Sequence, residues 1–249
     1  MKKILFVLVI LSTIYLLPHV AAAPSAVVQN DSSYISSSLG WFNVVGEVLN
    51  TGNTPLRFIF ITATFKDAGG IVVDSLQGVA DSQYLQPNQK APFQITDSDA
   101  ARSSRIASYT LNLEFSPAPA PLAVNLLIQN VGSSTNSLGW LEVVGEVRNA
   151  GAAGSKFTNV VGTFYDAGGK VVYVATTYTS PDTIQPNAAN SFKLTLTDKA
   201  QLPKISKWIL FAESDLYTSI PELMWPVIAL AAALTLGCVT MRRKRGAQR

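Results

Sequence analysis

Chemistry in this chain has to come from carboxylates, lysine or tyrosine. The single histidine, His19, lies in the N-terminal signal segment, and the single cysteine, Cys238, in a C-terminal apolar run. Triads with a histidine base, cysteine nucleophiles, His/Cys zinc sites and disulfide staples all need residues that the stretch between them lacks. Glu47 and Glu146 stand at the same place in two copies of one sequence, where a carboxylate could act as a ligand or a general base. Strand alternation gives a plainer reading. Val44, Gly46 and Val48 share one face and Val45 and Glu47 the other, so both glutamates face outward. Asp67 and Asp166 sit in turns that an aspartate caps, whereas calcium needs several oxygens in one place. Asp97 and Asp99 form a close acidic pair, of which the second copy keeps only Asp198. No catalytic residue, metal site or cofactor follows from this inventory, and the expectation is a protein that is not an enzyme.

The elements that must position these residues are written twice, 99 residues apart. Residues 38–93 lie on 137–192 without a gap, and about 24 of 56 positions match. The shared pieces are SLGW, VVGEV (44–48 and 143–147), DAGG (67–70 and 166–169) and QPN (86–88 and 185–187). A period this long means duplicated domains rather than a solenoid. Strand candidates in the first repeat are 26–30, 41–49, 57–66, 71–79, 83–86, 91–96 and 106–115, with counterparts in the second. Seven short strands separated by turn signals, without helical periodicity, predict an all-β fold of two tandem immunoglobulin-like antiparallel sandwiches. Each DAGG is flanked by strand formers, a hairpin signal, and Asn50-Thr51-Gly52 with its counterpart Asn149-Ala150-Gly151 marks a second turn. Ser116-Pro117-Ala118-Pro119-Ala120-Pro121 reads as a stiff polyproline spacer of roughly 15 Å.

The ends carry the positive charge. Of 19 Lys and Arg, seven lie outside the two apolar runs, which leaves 12 against 16 acidic residues and a middle of about −4. A nucleic-acid footprint is disfavoured on that balance. Lys2 and Lys3, an apolar run to Leu17 and small residues to Ala23 form a secretory signal pattern over 1–22, with an uncleaved signal anchor as the alternative. Leu223 to Met241 is long enough to cross a hydrocarbon core as a helix. Arg242, Arg243, Lys244 and Arg245 follow as a stop-transfer cluster held in the cytoplasm. The predicted order is a signal helix at 1–22, a first sandwich at 25–116, a linker at 117–121 and a second sandwich at 122–217. A transmembrane helix at 223–241 and a cytoplasmic tail at 242–249 complete it. The predicted location is the cell membrane, single-pass, with both sandwiches outside.

VVGEV-x-N-x-G, a Phe-led strand ending in Thr163-Phe164-Tyr165-Asp166-Ala-Gly-Gly, and QPN before a phenylalanine resemble the FxLYD domain. The first repeat departs at Lys66, where the second has Tyr165. The resemblance spans both repeats, about three-quarters of the chain. It implies small extracytoplasmic β-sandwiches, often in tandem on bacterial or archaeal surfaces, with no catalytic residues. Ile220-Pro221-Glu222 before the apolar span and basic cluster is similar to the PEF-type tail recognised by archaeosortases, with Leu223 where that motif has phenylalanine. Because of that departure a plain type I membrane anchor is the preferred reading, with an enzymatically processed tail as the alternative.

The aromatics Phe58, Phe65 and Phe93 recur as Phe157, Phe164 and Phe192, Trp41 recurs as Trp140, and Tyr109 as Trp208. Repetition of this kind points to core packing. Phe58-Ile59-Phe60-Ile61, however, becomes Phe157-Thr158-Asn159-Val160, and alternation cannot bury all four residues of the first run on one face. Ile59 and Phe60 are therefore the expected protein-interaction patch. Asn30-Asp31-Ser32 is a sequon for N-glycosylation at Asn30. The functional expectation is a cell-surface protein whose paired sandwiches bind or organise envelope components, with an envelope or surface protein as partner, the membrane held through the C-terminal helix, and no nucleic acid. A small-ligand or metal carrier and a purely structural spacer are its rivals.

Overall fold

The computed structural model describes residues 24–120, 122–219 and 221–224. The signal segment, the span beyond Met224 and the Arg242–Arg245 cluster lie outside the described residues. Strand accounts for 61% of the described residues and helix for 4%, so the all-β expectation holds. Among the described residues no helix is long and apolar enough to cross a membrane.

In the first repeat, β1 (Ala26–Ile35), β2 (Phe42–Asn50) and β5 (Lys90–Asp97) form one antiparallel sheet in the order β1-β2-β5. Strands β3 (Leu56–Lys66), β4 (Val72–Val79) and β6 (Ser108–Pro117) form another, in the order β4-β3-β6. Phe65, Phe93, Leu56, Ile61 and Leu85 are fully buried between them. The second repeat contributes β7 (Ala123–Thr135), β8 (Leu141–Asn149), β10 (Asn159–Tyr165), β11 (Val171–Tyr178), β13 (Ala189–Leu196) and β14 (Lys207–Glu213). Its short strands are β9 (Ser155–Lys156), β12 (Thr183–Ile184), β15 (Tyr217–Ser219) and β16 (Glu222–Met224). Strand β15 pairs with β14 on one side and runs parallel to β7 on the other, so sheets that stay separate in the first repeat join in the second. Its core is Phe164, Phe192, Trp208, Leu194 and Leu210.

The repeated peptides are explained by packing. An added Cβ at Gly46 would stand 2.7 Å from the Phe93 ring, and one at Gly145 2.7 Å from that of Phe192. The glycine of VVGEV and the phenylalanine after QPN are thus one fitted pair, present twice. Asp67 Oδ1 accepts from the amides of Gly69 and Ile71, while Gly70 takes φ +79°, which closes the β3–β4 hairpin. Asp166 and Gly169 repeat this geometry. Asn50 is buried and donates to the carbonyls of Thr54 and Leu85, and Asn149 does the same to Ala153 and Ile184.

Four sequence expectations differ. Residues 83–86 make no strand, and only Leu85 bridges to Leu56. A single turn of helix, α1 (Ala100–Ser103), capped by Asp99, was not foreshadowed by any helical period. The spacer is shortened, because β6 runs through Pro117 and the Ala118 amide donates to the Pro55 carbonyl. Finally, Leu223 and Met224 pair with Ile209 and Trp208 as an edge strand, so the apolar stretch begins inside the sheet. Replacing Gly46 with alanine forces the Phe93 ring aside. Such overpacking should cost on the order of 1–3 kcal/mol, measured as a lowered midpoint in urea unfolding.

Candidate functional site

The outward direction expected of Glu47 is correct, yet its side chain is fully buried, because the second repeat covers it. Its Oε1 accepts from Gln29 Nε2 at 3.0 Å, Asn30 Nδ2 at 2.6 Å and Lys90 Nζ at 2.6 Å. Its Oε2 accepts from the hydroxyl of Tyr165 in the second repeat at 2.6 Å. Burial alone pushes the Glu47 carboxyl up. The hydrogen bonds from Lys90, Tyr165 and Asn30, with the Lys90 charge, outweigh that and hold it below the usual carboxylate range. Burial and the neighbouring carboxylate push the Tyr165 hydroxyl well above its ordinary value.

Around this carboxylate the repeats share an apolar cluster of Val45, Tyr165, Val171 and Val174, with Tyr34 and Ile209 packed against it. The Ser32 hydroxyl donates to the Val171 carbonyl, and Ser37 donates through its amide and hydroxyl to Asp198. Glu213 accepts from the Ser82 hydroxyl and the Gln83 amide. The repeats are therefore packed against each other rather than held apart by the proline segment.

Sequence comparison at a constant spacing missed the clamp. Gln29 and Asn30 recur as Gln129 and Asn130 at a spacing of 100, one residue off the period of the gapless block. Gln129 and Asn130 bond Glu146 at 3.1 and 2.8 Å, and both asparagines take φ 55°. Asn130 is followed by Val131 and Gly132, so the repeated asparagine serves the carboxylate where no sequon exists. Asn30 does the same work within its sequon.

The expected apolar patch is displaced by one turn of the strand's alternation. Ile59 is 3% exposed and belongs to the core, and Phe60 is half-buried. A bulge between Arg57 and Phe60 shifts the register and pushes Phe58 outward, at 58% exposure. Phe157, between the end of β9 and the start of β10, is exposed as well, at 66%. Both adopt positive φ, 51° and 48°, which is unfavourable for a bulky side chain. These two phenylalanines are thus surface features, not the core residues that their repetition suggested. Phe65, Phe93, Phe164, Phe192 and Trp208 are core as expected, while Trp41, Trp140 and Tyr109 are half-buried.

A cleft of about 400 Å³ lies between the repeats, lined by Asp81, Ser82, Gln83, Phe157, Tyr178 and Glu213 among others. A second concavity of about 350 Å³ holds Phe58, Phe60 and Tyr84 and shares Ala80, Ser82 and Gln83 with the first. The loop at 80–83 is therefore a common wall with one exposed phenylalanine on each side. The Arg57 guanidinium lies 4.9 Å from the Phe58 ring centre. Burial pushes Asp81 up to about 6. Burial also raises Glu213 to about 7, against the opposing hydrogen bonds from Gln83, Ser82 and Tyr84. Aromatic rings beside carboxylates suit a contact that is part apolar and part hydrogen-bonding. The remaining acidic pair is structural: Asp97 takes a bidentate pair from Arg102, and Asp99 caps α1. Among the described residues no cluster of three or more His, Cys, Asp or Glu side chains could hold a metal ion.

No family model matches the chain. No curated protein matches it either. Solved structures similar to it include red sea bream transglutaminase, at 12% identity and TM-score 0.27, covering 83% of this chain and 31% of that one. The Amycolatopsis orientalis exo-chitosanase CsxA gives 10% identity and TM-score 0.28, over 79% of this chain and 26% of that one. Parabacteroides merdae β-glucuronidase gives 16% identity and TM-score 0.26, over 74% and 28%. The chain thus spans less than a third of the length of the structures it matches. All three are enzymes, so the expectation that this protein is not an enzyme is withdrawn. Likeness this weak transfers neither an activity nor a site.

Two outcomes follow for the contact between the repeats. Tyr165→Phe removes a hydrogen bond to a buried charge and should cost about 1.5–3 kcal/mol in denaturant unfolding. The second outcome concerns pH. Glu213 titrates higher in the folded chain than its ordinary 4.5, so the folded state holds more protons between that value and about 7. Its contribution is full at low pH and is lost as pH rises through about 7, and Asp81 acts likewise through about 6. Glu47 and Asp97 are lowered, so their contributions disappear as pH falls through and below the usual carboxylate range. The melting temperature should therefore be higher near pH 5 than at pH 8, and Glu213→Gln should flatten that limb.

Proposed function

We propose that this chain is a membrane-anchored cell-surface protein in which two immunoglobulin-like sandwiches of the FxLYD type bind or organise envelope components. The motifs shared by both repeats support the family reading, and the all-β fold with antiparallel sheets agrees with it. The signal pattern at 1–22 and the apolar stretch followed by Arg242–Arg245 support the topology, with the sandwiches outside and the tail in the cytoplasm. The observation that carries the interaction reading is the pair Phe58 and Phe157. Each is a large apolar ring held in an unfavourable backbone conformation and exposed to solvent, on either side of the loop at 80–83. Strain of that kind persists in both repeats while their neighbours diverge. The partner surface is an apolar side chain flanked by hydrogen-bond donors, which Asp81 and Glu213 accept.

The same cleft favours a second reading, a carrier of a small polar ligand, since it is concave and lined by carboxylates and rings. Replacing Phe58 and Phe157 with asparagine relieves exposed apolar surface and suits positive φ, so the variant should fold at least as stably as the parent. Proximity labelling on whole cells carrying the full chain should then lose its principal neighbours by about tenfold, as for interface hot spots. An unchanged neighbour set at equal surface level would sink the interaction reading at this site.

A further inference from the structure

The face of the first repeat that holds Glu47 has an equivalent in the second, built from β7, β8 and β13, and the described residues leave it uncovered. Val144, in the place of buried Val45, is 41% exposed, and Glu146 keeps its Gln129 and Asn130 bonds but has no cation within ion-pair distance among the described residues. A shallow concavity lies over it, lined by Asn130, Val144, Glu146 and Lys193. The surface that covers Glu47 also has an equivalent. It is the end of β3 and the start of β4 in the first repeat, where Ile71 and Val72 are 68% and 56% exposed.

The substitutions on these two open surfaces match each other. At Glu47 the charge is met by Lys90 on its own repeat and by Tyr165 across the contact. At Glu146 the lysine is lost, because Ala189 stands where Lys90 stood, while the opposing surface gains one, because Lys66 stands where Tyr165 stood. The cation has moved from one side of the contact to the other. A second exchange runs the same way. Lys170 reaches the Asp31 carbonyl at 3.5 Å, and the equivalent residues are Ile71 and Val131, an apolar pair. Val72 keeps the valine of Val171, and Gly132 opens the place of Ser32.

We propose that the β7–β8–β13 face of this chain binds the β3–β4 end of a second copy of the chain, with Lys66 taking the place at Glu146 that Tyr165 takes at Glu47. The contact joins two different surfaces, since each chain offers one socket and one plug on different repeats, so repeated from chain to chain it builds a row or a ring of more than two copies. Matched charge and continuity with the contact inside the chain select a second copy over an unrelated partner. The inference stands apart from the Phe58 and Phe157 cleft, which lies elsewhere.

The test uses the full chain in lipid nanodiscs carrying several copies, treated with a zero-length amine-to-carboxylate cross-linker. The expected result is a ladder of dimers and higher species, with peptide mass spectrometry locating an isopeptide bond between Lys66 and Glu146. K66E and E146K place like charges together, and each should reduce the ladder by about tenfold or more. K66E/E146K restores opposite charges and should restore the ladder, which a folding defect would not do. Melting curves of the three variants verify that each is folded. A chain that stays monomeric, a closed dimer without the Lys66–Glu146 link, or a ladder that survives both single variants would overturn the proposal. So would a different protein cross-linked through Glu146.

Discussion

A carboxylate enclosed between the two repeats governs the architecture. Removing a charge from water costs several kcal/mol even after relaxation, and only good geometry offsets it. Glu47 receives donors from β1, from β5 and from β10 of the other repeat, so no single element satisfies it. That makes the relative placement of the repeats a condition of keeping Glu47 charged. The valines and tyrosines around it supply contact area, but they are tolerant of small shifts. Hydrogen bonds of 2.6 Å are not. The node therefore sets orientation, and the apolar cluster supplies adhesion.

Duplication has been used unevenly. Gly46 with Phe93 and Gly145 with Phe192 remain locked together, because a side chain on either glycine would enter a ring. The outer faces were free to diverge, and Glu47 and Glu146 now occupy opposite environments on nearly the same local scaffold. One is sealed and neutralised by lysine, and among the described residues the other is open with amide donors alone. Phe58 and Phe157 show the converse, a shared unfavourable conformation kept on two otherwise different surfaces.

Much of the fold was legible in the sequence. Turn chemistry at Asp67 and Asp166, alternation through VVGEV and the paired aromatics correctly indicated antiparallel strands around buried rings. Where it failed, the reason was physical in each instance. Repetition made Phe58 look like core, because a bulge reverses alternation and leaves no mark in residue type. Glu47 read as outward, which is true of its own sheet, but burial by another repeat is a tertiary fact that local patterning does not encode. The Gln29–Asn30 clamp was hidden by one residue of difference in the connection after β1. The proline segment read as a spacer because its composition says nothing about Pro55, whose carbonyl takes the Ala118 amide and draws the segment into the sheet.

That last bond has a consequence for affinity. Strand β6 ends at Pro117 and β7 begins at Ala123, so a handful of residues join the two packed repeats. A link this short holds the second repeat at an effective concentration in the millimolar range beside its docking face, so the Glu47 contact closes with little intrinsic strength. Contacts of the same design between separate chains have no such help in dilute solution. They become populated only where chains are already crowded, as on a surface that confines them to two dimensions, which makes local density the variable that turns assembly on.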